Sequence, residues 1–253
     1  MKIALISDIH ANYEALQAVF RDIQAQGDIE SVYCLGDLVG YGPDPEACTD
    51  LVRERCEFSL MGNHDFALVN TVVGFNPIAA RAITFTRVRM EPGGADSDRK
   101  AARWNWLRDN PERRSLGQDL FVHASPRDNI FEYVLPDDPV YDPSKIFAIF
   151  DMIERNVYIG HTHRPGIITQ EPRFYAPEEL GMEYAFEPGE KLIINVSSVG
   201  QPRDRDPRAC YATLEEDGLA YHRVEYDVES VVAKVEETEG LDDRCGTRLR
   251  EGR

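Results

Sequence analysis

Cysteine is sparse in this chain: five residues in 253, at Cys34, Cys48, Cys56, Cys210 and Cys245. The number is odd and no C-x-x-C spacing occurs, which argues against both a disulfide framework and a thiolate zinc site. Cys34, inside an apolar run, reads as a buried strand residue. Long apolar runs are missing too, so no segment is suited to span a bilayer. The strand-like run from Lys2 to Ser7 is too short for a signal-peptide core and no cleavage pattern follows it, so a cytoplasmic location is expected. Basic residues are outnumbered, 28 against 45 acidic, for a formal net charge of -17. Such a surface disfavours nucleic acid and anionic membrane as partners, because both need positive charge opposite them. A nuclease is disfavoured likewise, since it needs a basic groove for its strand.

The apolar fraction of 42% is ordinary for a folded protein. Lys2–Ser7, Ser31–Leu35 and Phe58–Met61 read as short buried strands, separated by amphipathic helices over Asn12–Gln26 and Pro45–Arg55. Gly27 ends the first helix and Pro45 starts the second. This β-α-β-α-β order predicts a mainly parallel sheet covered by helices. Residues 66–114 then read as a helical insertion or lid, with helices over Ile78–Arg89 and Arg99–Asn110. Asp119–His123 and Val157–Ile159 are further strands flanking a helix over Ser144–Arg155. Beyond Pro165 the pattern turns to strands (Gly166–Thr169, Lys191–Asn195, Ala209–Leu214, Gly218–Val224), read as a mostly antiparallel sheet stacked on the first. A closing helix over Val228–Thr238 completes a single domain of residues 1–238, and 239–253 reads as a polar, loosely held tail.

Histidine is also scarce, six residues in all, yet five of them fall where acids and an asparagine stand. The groups are Asp8-Ile9-His10, Gly36-Asp37, Gly62-Asn63-His64-Asp65, a lone His123, and Gly160-His161-Thr162-His163. Each follows an expected strand or, for His123, ends one, so all can converge on one edge of an α/β sheet. His-x-His on an extended chain puts both rings on one face. Gly-Asn-His-Asp taken alone reads as a turn. Carboxylates, imidazoles and an amide oxygen in this number can hold two transition-metal ions, and two such ions make a phosphoester hydrolysis centre. Imidazole matches manganese, iron, zinc, nickel or cobalt better than magnesium. His222 lies outside every group and reads as structural.

These motifs, in this order, resemble the signature of the calcineurin-like metallophosphoesterases, from Lys2 to about Tyr226. The likeness is to the small bacterial and archaeal phosphodiesterase-like branch, through Gly36-Asp-Leu-Val-Gly-Tyr-Gly-Pro43, His123-Ala-Ser-Pro-Arg-Asp128 and Asn195-Val-Ser-Ser-Val-Gly-Gln-Pro-Arg203. The resemblance implies a four-layer α/β/β/α sandwich. It implies a first metal held by Asp8, His10, Asp37 and His163, and a second held by Asp37, Asn63, His123 and His161, with Asp37 as the bridge and manganese as the leading ion. It also implies a metal-bound hydroxide attacking a phosphodiester or small phosphomonoester, His64 assisting the leaving group, and Asp65 orienting His64 or a ligand. The partner is then a small phosphorylated substrate, with no membrane; oligomeric state stays open. Arg127 and Arg203 are candidates to clamp phosphate, and Tyr41 to flank the substrate. Two departures stand out. Gly40-Tyr41 occupies the place of the Asp-Arg pair usual in protein Ser/Thr phosphatases and dinucleoside tetraphosphatases. Val196-Ser197 replaces Pro-Gly, which should alter a loop at the metal edge. A scaffold of the same fold without catalysis is the rival reading.

Overall fold

Three parallel strands open the chain: β1 (Ile3–Ile6), β2 (Ser31–Cys34) and β3 (Phe58–Ser59). The computed structural model describes residues 1–94 and 96–253. Helices α1 (Tyr13–Gln26) and α2 (Pro45–Arg55) return the chain between these strands. Asn12 caps α1 by accepting the Ala15 N–H at 3.1 Å, and Gly27 ends it in the left-handed region at φ 77°. Three helices follow β3: α3 (Asn63–Val69), α4 (Pro77–Met90) and α5 (Ser97–Arg108). Arg87 of α4 donates to the carbonyls of Ala67, Leu68 and Asn70, closing the exposed end of α3.

The second half supplies β4 (Arg113–Leu116), β5 (Asp119–Val122), α6 (Asp138–Tyr141), α7 (Pro143–Asp151), β6 (Val157–Ile159), β7 (Gly166–Thr169), β8 (Phe174–Tyr175), β9 (Glu183–Ala185), β10 (Leu192–Asn195), β11 (Ala209–Glu215), β12 (Gly218–Val224), α8 (Val228–Glu237) and α9 (Arg244–Thr247). One sheet has the order β3-β2-β1-β11-β12-β9 and the other β4-β5-β6-β10-β7-β8. The division expected from sequence, one sheet per half of the chain, is therefore corrected. β1 is buried along its whole length and needs a partner on each edge. β2 fills one edge in parallel, and β11 fills the other antiparallel, with Leu5 opposite Ala212.

Side-chain alternation along the strands builds the layers. Ile3 and Leu5 of β1, Tyr33 of β2 and Ala212 of β11 meet Phe121, Tyr158 and Ile194 of the other sheet. The opposite faces pack outward: Ala4, Ile6 and Tyr211 under Leu16 and Val19 of α1, and Val122, Val157 and Ile193 under Ile146 and Ile149 of α7. The result is the four-layer α/β/β/α sandwich. β1, β2 and β3 run parallel in one sheet, and β5, β6 and β10 run parallel in the other. The segments that follow these strands carry the histidines and acids.

Residues 239–253 depart from the expected loose tail. Leu241, Cys245 and Leu249 are buried, and they recur every fourth residue in a polar background. Leu241 and Cys245 pack with Val235 of α8 and with Ala79 and Ala82 of α4. A three-residue stripe is enough to anchor a short helix but too small to register as amphipathic in a charged segment. Leu241→Ala is expected to cost about 2–4 kcal/mol in urea unfolding. A loosely held tail would leave stability within about 0.5 kcal/mol of the parent protein.

Candidate metal centre

Asp8 and His10 follow β1, Asp37 follows β2, Asn63 and His64 follow β3, His123 follows β5, and His161 and His163 follow β6. All eight are buried. The backbone is bent to bring them together: Asp8, His10, Asp37, His161 and His163 all have φ between 48° and 65°. Non-glycine residues rarely adopt this region, and each such residue costs on the order of 1–3 kcal/mol. Hydrogen bonds enforce it. The His10 N–H donates to Asp37 O at 3.0 Å, and the His161 N–H donates to Asp8 Oδ2 at 3.0 Å. Asn195 Nδ2 donates to Gly160 O at 2.6 Å and to Thr162 Oγ1 at 2.8 Å, bracing the His161–His163 segment from β10.

Two groups of donor atoms result, Asp8-His10-Asp37-His163 and Asp37-His123-His161. Asn63 joins the second, with its Oδ1 3.2 Å from His123 Nε2. Asp37 Oδ2 lies 3.6 Å from His10 Nε2 and 3.5 Å from His123 Nε2, so it faces both groups. The Nδ1 atoms of His10, His123 and His163 face the carbonyls of Val39, Leu35 and Gln201 at 3.1, 2.9 and 2.6 Å, where they donate. Their Nε2 atoms are then lone-pair acceptors. His10 Nε2 and His163 Nε2 face each other at 3.1 Å, with Asp8 Oδ1 3.3 Å from His163 Nε2 and no hydrogen bond to Asp8 Oδ1. His161 Nε2 faces Phe131 O at 3.2 Å, which leaves Nδ1 buried and without a partner. Acceptors pointed at acceptors in a buried site repel unless a cation lies between them. The donor set therefore fits divalent metal.

Charge leads to the same conclusion. Burial pushes His161 down to about 3 and His163 down to about 4, and takes His10 and His64 well below the ordinary imidazole value. Burial, together with Asp65 and Asp8 nearby, pushes the Asp37 carboxyl well above the usual range. Burial works against the Asp8 charge as well, but His163 and His123 outweigh it and hold that carboxyl low. Burial thus disfavours charge both on Asp37 and on these imidazoles, and divalent ions among the donors would offset that penalty for the carboxylates.

The remaining candidates divide. A cavity of about 270 Å³ opens on the centre, lined in part by Asp37, His64, Tyr41 and Arg203. The Arg203 Nε is buried without a partner, and its guanidinium lies 5.9 Å from the Tyr41 ring centroid. Arg127 is not brought to the site: its side chain pairs with Glu132 at 3.3 Å. Asp65 does not reach the His64 ring. Its oxygens accept the N–H groups of Leu38, Val39 and Gly62, so it fastens the Asp37 loop to the start of α3. Gly62-Asn63-His64-Asp65 is consequently the first turn of a helix rather than an isolated turn. His222 bonds Thr213 at 2.8 Å on β12, away from the cavity. Sequence reasoning missed Phe75, Phe131 and Tyr133, which also line the cavity. They sit in irregular segments, where no periodicity separates a cavity aromatic from a core one.

The Val196-Ser197 departure leaves the loop in a glycine-like shape. Ser197 has φ 94°, held by its N–H donating to Asn195 Oδ1 at 2.9 Å, and its hydroxyl is buried without a partner.

A family model described as Calcineurin-like phosphoesterase matches residues 1–165. The uncharacterized protein MJ0912 of Methanocaldococcus jannaschii is 35% identical over 260 residues, covering 99% of this chain and 98% of that one. The crystal structure of a metallophosphoesterase from Sphaerobacter thermophilus superposes with a TM-score of 0.83 at 34% identity, covering 100% of both chains. A symmetrical bis(5'-nucleosyl)-tetraphosphatase of Erwinia tasmaniensis is 34% identical over 76 residues, 29% of this chain and 28% of that one.

Two outcomes are expected. Ser197→Gly should raise stability by about 1 kcal/mol or more in urea unfolding, through relief of backbone strain. Chelator-treated protein dialysed against manganese should take up two ions per chain by elemental analysis, and its Tm should climb with metal concentration. A Tm indifferent to metal would contradict the reading of the donor set.

Proposed function

The chain belongs to the calcineurin-like phosphoesterase family, and on that basis we propose that it is a metal-dependent phosphoric ester hydrolase acting on a small phosphodiester or phosphomonoester. One observation carries the reading: Asp37 Oδ2 stands between His10 and His123, so a single carboxylate serves two donor groups. Asp8, His10, Asp37 and His163 are proposed to hold one ion, and Asp37, Asn63, His123 and His161 the other. Two divalent ions supply an activated water and draw charge from the phosphoryl oxygens. Manganese is the ion proposed, with iron, zinc, nickel or cobalt as alternatives suited to the same donors.

The chain's own residues take the remaining roles. Arg203, with its unpartnered Nε at the cavity, is proposed to hold a phosphoryl oxygen. His64 is proposed to pass a proton to the departing oxygen, once a phosphoryl anion in the cavity raises the proton affinity that burial lowers. Its Nδ1 makes no hydrogen bond, and its ring is held by contacts with Tyr41, His10 and Phe75 at centroid distances of 4.6, 4.7 and 5.1 Å. A cavity of about 270 Å³ in an acidic chain suits a small ester better than a nucleic-acid strand.

A protein phosphatase or dinucleoside polyphosphatase reading meets an obstacle at Gly40. Its φ is 83°, and a Cβ there would come within 2.2 Å of His64 Nδ1. The acid expected at that position in those enzymes has no room against His64 in this arrangement.

The test is hydrolysis of bis-p-nitrophenyl phosphate and p-nitrophenyl phosphate across a panel of divalent metals. Turnover is expected with manganese, with at least about a 100-fold loss in Asp37→Ala, and a kcat lower by about 100-fold or more in His64→Gln. Stoichiometric metal without turnover of any ester would favour the scaffold reading, and full activity in Asp37→Ala would end the two-metal account.

A further inference from the structure

A second groove, of about 240 Å³, adjoins the metal-facing cavity, and the two share Arg203. Pro165, Phe174 and Pro177 give it an apolar floor, and Arg164, Arg203 and Arg205 line it together. Glu178 and Asp204 also border the groove, but Arg223 occupies both, at 3.2 Å from Glu178 and in a short contact with Asp204. Among the described residues, no carboxylate pairs with Arg164, Arg203 or Arg205; the polar contact of the Arg203 guanidinium is with Gln201 Oε1 at 2.8 Å. Carboxylates are plentiful in a chain of net charge -17, so three guanidinium groups without one beside a single groove call for an explanation.

The groove is wired to the centre. The Arg203 N–H donates to His163 O at 3.1 Å, and Arg164 Nε donates to Arg203 O at 3.3 Å. Arg205, at φ 72°, is fixed by its N–H donating to Gly252 O at 2.9 Å. A ligand group in the groove therefore lies beside the segment that carries His163.

We propose that this groove is a second phosphate subsite, so that the substrate carries a further phosphoryl group besides the scissile one, held by Arg164 and Arg205 with Arg203 between the two. The inference rests on the reading of the cavity as the place of hydrolysis. Guanidinium forks match phosphate oxygens bidentately, and an apolar floor strengthens charge-assisted hydrogen bonds by excluding water. The local arginines also explain how an acidic chain receives a polyanion: they offset at short range the repulsion its overall charge imposes at long range.

Two esters with the same leaving group provide the test: thymidine 5'-(p-nitrophenyl phosphate), and the same compound bearing a 3'-phosphate. The measured quantity is the ratio of their kcat/KM values in the manganese-loaded full chain. The 3'-phosphate is expected to raise kcat/KM by about tenfold or more, and the double variant Arg164→Ala, Arg205→Ala should bring the ratio close to one. A ratio near one in the parent protein, or a ratio the double variant leaves unchanged, overturns the proposal. So does an equal fall on both esters, which reports damage to the centre rather than loss of a subsite. A binding measurement separates this proposal from the hydrolase reading. By calorimetry, metal-free protein should bind thymidine 3',5'-bisphosphate more tightly than thymidine 5'-monophosphate, and the double variant should erase the difference. That preference without turnover of either ester would sink the hydrolase reading and keep the subsite; turnover without the preference would do the reverse.

Discussion

The structure depends on an electrostatic imbalance. Asp8, Asp37 and Asp65 are buried together, surrounded by imidazoles that burial keeps neutral. Three of those imidazoles spend their Nδ1 protons on backbone carbonyls and aim bare Nε2 atoms inward. A cation among these donors would relieve the strain that burial places on such a cluster. The strained backbone makes sense on the same terms. Positive φ at five of the donor residues is unfavourable locally, and it persists because β1, β2 and β6 end where tight bends are needed to turn side chains toward a common point.

Residues that touch no metal position maintain this arrangement. Asp65 uses its whole carboxylate on backbone N–H groups around Asp37. Ser198 Oγ donates to Asp8 O at 2.8 Å and accepts the Gln201 N–H at 2.9 Å, tying the β10–β11 connection under β1. Asn12 has two duties: it caps α1 and donates to Gly200 O at 2.9 Å. His64 is the exception. Its ring nitrogen facing Gly40 has no partner, and aromatic contacts with Tyr41 and Phe75 hold the ring instead.

Much of the architecture is legible in the sequence, because short apolar runs separated by glycine, proline and capping residues are local signals. α2 and β6 match their expected bounds, and α1 differs only in that Asn12 proves to be its cap. Strand partners could not be read, since β11 joins β1 across some 200 residues through backbone bonds that any apolar strand could make. The donor residues were legible because chemistry restricts them to few residue types at strand ends. Arg127 and Arg203 looked equivalent in sequence; a neighbouring Glu132 separates them, and such a pairing depends on a fold rather than a motif. The packed end of the chain was missed for a related reason. Its apolar surface is three side chains that acquire meaning only against α4 and α8.

Each donor group draws on both sheets. Asp8, His10, Asp37 and Asn63 come from the sheet centred on β1, and His123, His161 and His163 from the one centred on β6. The slab of Tyr33, Phe121, Tyr158 and their neighbours between the sheets therefore works as a gauge block. Its thickness sets how far apart the two halves of each donor group stand, and close-packed interiors yield little. Phe121 and Tyr158, stacked at 4.8 Å between centroids, thus belong to the tolerance of the catalytic edge although neither touches it. A change of one methylene in that slab would reach the reaction as a change of spacing as well as the fold as a loss of stability.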